Sequence, residues 1–130
     1  MKKLYKYRLR KLAEHIVDRS KRGHKKFDFG KVSNGSANTC GTSGCVMGEC
    51  PVAFPRSFKF DVGGLIRLRK DSEDHMDNDV AKFFGLDPNQ VNHLFYPGLQ
   101  QPFLYGGKTL DISATARQVS KNILAFLEKV

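Results

Sequence analysis

Apolar residues recur at helical spacing near both ends of this chain. Tyr5, Leu9, Leu12 and Ile16 form one stripe, which predicts an amphipathic helix over residues 3 to about 19. Arg10, Lys11, Glu14 and Asp18 fall on its opposite side. Ala116, Val119, Ile123 and Phe126 form the stripe of a last helix over 114–129, with Ser113 placed to cap it. Two more helices are predicted between them. Ser72 opens one that reaches about Phe84, with Met76, Val80, Phe83 and Phe84 as its apolar side. The acidic run Asp71, Glu73, Asp74, Asp77 and Asp79 suits the positive end of that helix dipole, and Gly85 terminates it. In Asp87-Pro88-Asn89-Gln90, Asp87 caps the next helix, Pro88 takes its first position and Gln90 closes a capping box. That helix ends near Phe95, before Pro97-Gly98.

The middle of the chain is less periodic. Phe27 and Phe29 read as a short strand or a core anchor, and the Gly-, Ser-, Asn- and Thr-rich stretch 30–44 as a loop. Thr42 is placed to cap a helix to about Cys50, interrupted by Pro51. Residues 57–70 read as a β-hairpin in which Phe58, Phe60 and Val62 alternate and Gly63-Gly64 turn. That two-residue turn would put Phe60 opposite Arg67. Residues 99–112 read as a loop with an extended piece at Phe103-Leu104-Tyr105. The sum is one domain of the α+β class, mainly helical, with about five helices around one core and one small β-hairpin.

Charge divides the chain where the hydrophobic pattern does not. Residues 1–26 hold eleven of the 22 lysines and arginines against Glu14 and Asp18 alone, a balance of +9, which is the net charge of the whole chain. Residues 27–130 are neutral, so the sequence reads as a basic N-terminal helix and tail on a neutral globular body. Charge concentrated in this way points to a polyanionic partner, nucleic acid above all. The candidate phosphate contacts are Lys2, Lys3, Lys6, Arg10, Lys11, Arg19, Lys21, Arg22, Lys25 and Lys26. No apolar run approaches the roughly 20 residues that span a bilayer, and no apolar stretch follows the charged start as in a secretion signal. No membrane partner is expected. The expected compartment is the cytoplasm of a bacterial host cell, and an odd count of three cysteines agrees with a reducing environment.

The predicted helix pair at 79–95 carries a helix-turn-helix-like pattern. Ala81 is small, Gly85 sits at the turn, and Val91 and Leu94 face the first helix. Asn89, Gln90, Asn92 and His93 are expected on the outward side of the second helix, and Asn89, Asn92 and His93 are candidates for limited base reading. A plain packing hairpin shows the same pattern. The segment is also slightly acidic and follows an acidic run, which phosphates repel.

Other chemistry is weakly marked. Cys40, Cys45 and Cys50 are spaced too widely for the usual zinc pairs, and only a fold-back of His24 or His75 would complete a set. Cys45 in a first helical turn, with His15, His75 or His93 as base, is a nucleophile pattern that lacks an orienting third residue. Cys45 and Cys50 read better as small buried apolar groups. The acidic stretch 71–79 is no calcium loop, because Met76 replaces the turn glycine and Lys82 the bidentate glutamate. No catalytic residue, metal ligand or cofactor is assigned.

Cys40-Gly41-Thr42-Ser43-Gly44-Cys45 with Gly48, then Phe83-Phe84-Gly85-Leu86 and Leu94-Phe95, resembles a group of small uncharacterised proteins from bacteriophages and bacterial genomes. These share a Cys-Gly-Thr-x-x-Cys-x-x-Gly segment and a Gly-Leu turn before Leu-Phe. The resemblance covers about residues 27–128, and this chain departs from it at Glu49-Cys50-Pro51, where an aromatic residue is usual. It implies a phage or mobile-element setting and no mechanism. The expectation is therefore a non-enzymatic phage-type accessory protein that binds nucleic acid, DNA or RNA, through its basic N-terminus. The alternatives are an inhibitor or interaction protein that acts on a host protein such as a defence or replication component, with Phe95, Tyr96, Phe103 and Tyr105 as anchors, and a cysteine-dependent enzyme or zinc protein.

Overall fold

The computed structural model describes residues 1–23, 26–29, 43, 44, 46–61 and 65–130. Most of the loop expected over 30–44, with Cys40 and Thr42, and also His24, Lys25, Cys45 and the turn expected at Gly63-Gly64, lie outside these residues. Six helices are described: α1 (Lys3–Val17), α2 (Cys50–Ala53), α3 (Met76–Phe84), α4 (Pro88–Phe95), α5 (Pro102–Tyr105) and α6 (Ala116–Lys129). Two short strand pairs accompany them. Strands β1 (Lys26–Phe27) and β2 (Ser43–Gly44) run parallel, and β3 (Phe58–Phe60) and β4 (Ile66–Leu68) run antiparallel. The fold is mainly helical α+β.

The seam between α1 and α6 is the most extensive pairing among these elements. Leu9, Leu12, Ala13 and Ile16 of α1 are fully buried, as are Val119, Ile123 and Phe126 of α6. Small residues let the helices approach closely, and the Ser120 hydroxyl donates across the seam to the Ala13 carbonyl at 2.9 Å. The N-terminal stripe thus packs on this same domain. The boundary near residue 26 is one of charge and not of packing.

Around this seam the aromatic rings of Phe54, Phe58, Phe83 and Phe84 meet edge-on at centroid distances of 4.9–5.8 Å, an arrangement that favours ring edge against ring face. Gly85 ends α3 in the left-handed region with φ of 67°. The Tyr5 ring lies directly over it, and a Cβ there would come within 2.3 Å of that ring. Asp87 and Gln90 make both bonds of the expected capping box.

Several local expectations are corrected. In the hairpin Phe60 faces Ile66, not Arg67, and the Asp61 N–H donates to the Leu65 carbonyl beyond that pair, so the register is shifted by one from that of a two-residue turn at 63–64. Pro51 does not interrupt a helix but opens α2, where its missing N–H is not needed. Residues 103–105 are a helical turn rather than an extended piece. Helix α6 is capped by Thr115, with Gln118 completing a capping box, while Ser113 bonds Asp111 in the preceding turn.

Helix α3 starts at Met76 and not at Ser72, because Ser72 serves Asp79 instead. Asp79 is fully buried. Its carboxylate accepts from Leu68 N–H (2.9 Å), the Ser72 hydroxyl (2.6 Å) and Glu73 N–H (2.8 Å), so it binds β4 and the following loop to α3. Burial pushes its pKa up, but these three donors and nearby Arg67 outweigh burial and hold it below the usual 3.8. A depressed carboxylate pKa contributes stability above the unfolded value and loses it as pH falls through the folded value. Asp79→Asn is therefore expected to lower unfolding free energy by about 2 kcal/mol at pH 7. In urea titrations from pH 7 to pH 2 the gap to wild type should close below about pH 4. A constant gap would show that the charge is not what binds these segments.

Candidate nucleic-acid interface

Burial of one face of α1 fixes what the other face presents. Lys2, Lys3, Arg10 and Lys11 are exposed and Lys6 is half-buried, with Leu4 and Tyr7 exposed among them. Helical spacing puts Lys3 and Lys11 one turn to either side of Tyr7, with Arg10 beside it. The Lys11 ammonium lies 5.2 Å from the Phe54 ring centroid and remains solvent-facing.

Two other cations of the segment serve the fold. Arg8 donates to the Phe83 carbonyl at 2.7 Å and lies 4.0 Å over the Phe83 ring, so it satisfies the carboxyl end of α3. Arg22 reaches back to the Ile16 carbonyl at 3.3 Å and does the same for α1.

After α1 the chain makes a tight turn. Lys21 and Arg22 N–H groups both donate to the Asp18 carbonyl, and the Asp18 carboxylate accepts from the Ser20 hydroxyl and N–H. The Ser20 hydroxyl and then its N–H hold the Asp18 pKa below the usual carboxylate value. The turn displays Arg19 and Lys21 to solvent, with Lys21 4.0 Å from Asp18. Lys26 takes part in β1 through its backbone.

A buried acid fastens this turn to the core. Glu49 is fully buried in the 3₁₀ turn Met47–Glu49. One of its oxygens meets His15 Nε2 at 2.7 Å and accepts from Gly23 N–H at 2.9 Å. No motif in the sequence marks this pairing. Its only signal was His15 on the apolar side of a helix, a position that demands a polar partner.

The α4 surface differs from expectation. His93, expected on the outward side, is fully buried. It rests 4.9 Å from the Tyr105 ring and 6.2 Å from the Phe126 ring. Its Nδ1 accepts from Gln101 N–H at 2.8 Å, which assigns the ring hydrogen to Nε2, a buried atom with no hydrogen-bond partner. Burial lowers the His93 pKa below 6.5, so the ring is neutral and offers no charge to a phosphate. Asn89 is exposed, Asn92 is half-buried, and Gln90 is half-buried and occupied in its capping box. The structure does not bring Asn89 and Asn92 together with α1 into one described contact.

The loop 97–112 is held by two buried amides that no motif in the sequence marks either. Gln100 donates to the His93 and Tyr96 carbonyls and accepts from Leu110 N–H. Asn122 of α6 accepts from Lys108 N–H and donates to its carbonyl. Of the expected protein anchors, Phe95 is buried, Tyr96 and Tyr105 are half-buried, and Phe103 is fully exposed beside exposed Leu104. Cys50 is buried, with its thiol 3.9 Å from the Val46 carbonyl.

No family model matches the chain, and no curated protein or solved structure matches it. Among the described residues, no helix is long and apolar enough to cross a membrane.

Replacing Glu49 by alanine leaves the buried His15 Nε2 and the part-buried Gly23 N–H without this acceptor. Chemical denaturation is expected to show a loss of about 3 kcal/mol. A loss below about 1 kcal/mol would mean that water serves these donors equally well.

Proposed function

We propose that this chain is a non-enzymatic, phage-type accessory protein that binds nucleic acid, mostly by its phosphate backbone, through the exposed face of α1 and the turn after it. The observation that carries this reading is the fixed display of Lys2, Lys3, Arg10 and Lys11 by a helix whose other face is locked into the core. Arg19 and Lys21 extend the same charge beyond the helix end. Burial takes His93 out of the contact set, and Arg8, which bonds the Phe83 carbonyl, does not join it. Asn89 and Asn92 stay as the candidates for limited base contact.

Removing residues 1–26 does not test this, because it also removes Leu9, Leu12 and Ile16 from the core. The test is the triple variant Lys3→Gln, Arg10→Gln and Lys21→Gln, whose side chains are exposed. Labelled duplex and single-stranded oligonucleotides are titrated with nuclease-treated protein across a salt series. Each phosphate contact adds roughly 0.7 to 0.9 to the slope of log affinity on log salt. The variant should melt like wild type, bind more weakly, and show a slope shallower by about 2 to 3. Unchanged affinity and slope would overturn the reading.

One observation favours the second reading, an interaction protein that acts on a host protein. Phe103 is 100% exposed and Leu104 60% exposed on α5, a short turn anchored from beneath by Tyr105. Large apolar side chains so placed are suited to a partner's pocket. Under this reading a single stoichiometric partner is captured from nuclease-treated host lysate and is lost with Phe103→Ser.

A further inference from the structure

A cavity of about 660 Å³ opens between the end of α1 and the start of α6. Arg19, Arg22 and Arg117 supply its cations, and Val17, Phe27 and Ala114 supply apolar surface. No aspartate or glutamate lines it among the described residues. Three arginines from two distant stretches of chain therefore line one cavity, with no carboxylate in the lining among the described residues.

Two details make this convergence costly for the empty protein. Arg117 is the second residue of α6, at the positive end of a 14-residue helix whose first turn holds no acid. A cation there is disfavoured by the helix dipole. The N–H groups of Ala116 and Arg117 have no intrahelical acceptor by position, while the Thr115 hydroxyl is engaged by Gln118 N–H. Arg22 has its Nε buried with no hydrogen-bond partner among the described residues, although its Nη1 reaches Ile16. An anion bound at these arginines would offset the misplaced cation of Arg117.

The volume says more. It lies within the roughly 300–1,000 Å³ of small-molecule sites and exceeds what a bare phosphate fills. Guanidinium forks match phosphate oxygens in pairs, and an aromatic ring with aliphatic neighbours suits a flat organic group.

We infer that this cavity binds a phosphate monoester carried on a nucleotide-sized group, with the phosphate on Arg19, Arg22 and Arg117 and the organic part against Val17, Phe27 and Ala114. A free mononucleotide and the 5′-phosphorylated end of a strand share this chemistry, and only the strand version rests on the nucleic-acid reading above.

The experiment is calorimetric titration of the full chain at low salt with adenosine 5′-monophosphate and with adenosine. The monophosphate should bind saturably and adenosine at least about tenfold more weakly. Arg117→Gln and Arg19→Gln alter exposed side chains and should keep the wild-type melting temperature while each weakens the monophosphate at least about tenfold. Lys3→Gln with Arg10→Gln, on the outer face of α1, should leave it bound. Competition by 5′-phosphorylated and 5′-hydroxyl oligonucleotides then assigns the source: preference for the phosphorylated end points to a strand, and no preference to a free nucleotide. The inference is overturned if the monophosphate does not bind, if adenosine binds equally, or if Arg117→Gln changes nothing. Failure here with salt-dependent oligonucleotide binding intact removes the cavity site and leaves the α1 interface standing.

Discussion

The structure depends on the seam between α1 and α6. Helix α1 must bury Leu9, Leu12 and Ile16 to complete the core while it carries more positive charge than any other element. Those demands are compatible only because they fall on opposite faces of one helix. Charges on a flexible tail would be mobile. Here the apolar face fixes the axial position and rotation of the helix, and with them the places where Lys3, Arg10 and Lys11 meet solvent. Close mutual repulsion of these cations is tolerated because water screens them and the seam holds the backbone. A fold that paid no attention to the basic face would not also recruit Arg8 to the end of α3 and Arg22 to the end of α1.

Much of the rest of the described residues has little regular structure, and buried polar side chains hold it. Asp79 gathers three donors from β4 and the next loop, Glu49 gathers His15 and Gly23, and Gln100 and Asn122 bond the backbone of 97–112 as a neighbouring strand would. Each answers the same requirement: backbone N–H and C=O groups removed from water need partners, and short loops cannot supply them to themselves. The result is a helical domain whose connections are ordered by a few single residues. Such residues are more consequential, one for one, than surface charges.

The helices were legible because their signals are local. The stripe of α1, the capping box of α4, the left-handed Gly85 and the apolar face of α6 each follow from residues within a few positions of one another. The polar nodes were not legible, since Glu49 lies 34 residues from His15 and no spacing rule joins them. Ser72 shows how the two levels compete: it is a good helix cap by type, yet a buried carboxylate seven residues on takes its hydroxyl and the helix starts later. His93 misled for a related reason. Helical position alone placed it outside, but the neighbouring turn α5 lays Tyr105 over it and closes that side. The charge of the candidate interface was readable from composition, whereas the division of its arginines between structural and free roles required the fold.

That division gives the electrostatics a direction. Arg8 and Arg22 sit where helix dipoles want a cation, at carboxyl ends, and each bonds a terminal carbonyl. Arg117 sits where the dipole does not want one, and it lines the same cavity as Arg19 and Arg22. Local rules that agree throughout a chain and fail together at one place mark the place where something else sets the sequence. In this molecule the failure coincides with a cavity, at the junction of the basic turn and the open N–H groups of α6. The outer face of α1 supplies long-range attraction that screening weakens within about 10 Å at ordinary salt. In the cavity proposed above, the guanidinium groups would add short, directional donors to that attraction. On the two proposed readings, an anion drawn to the first surface would meet the second just past the end of the same helix, so capture and fixation would both depend on how α1 is seated.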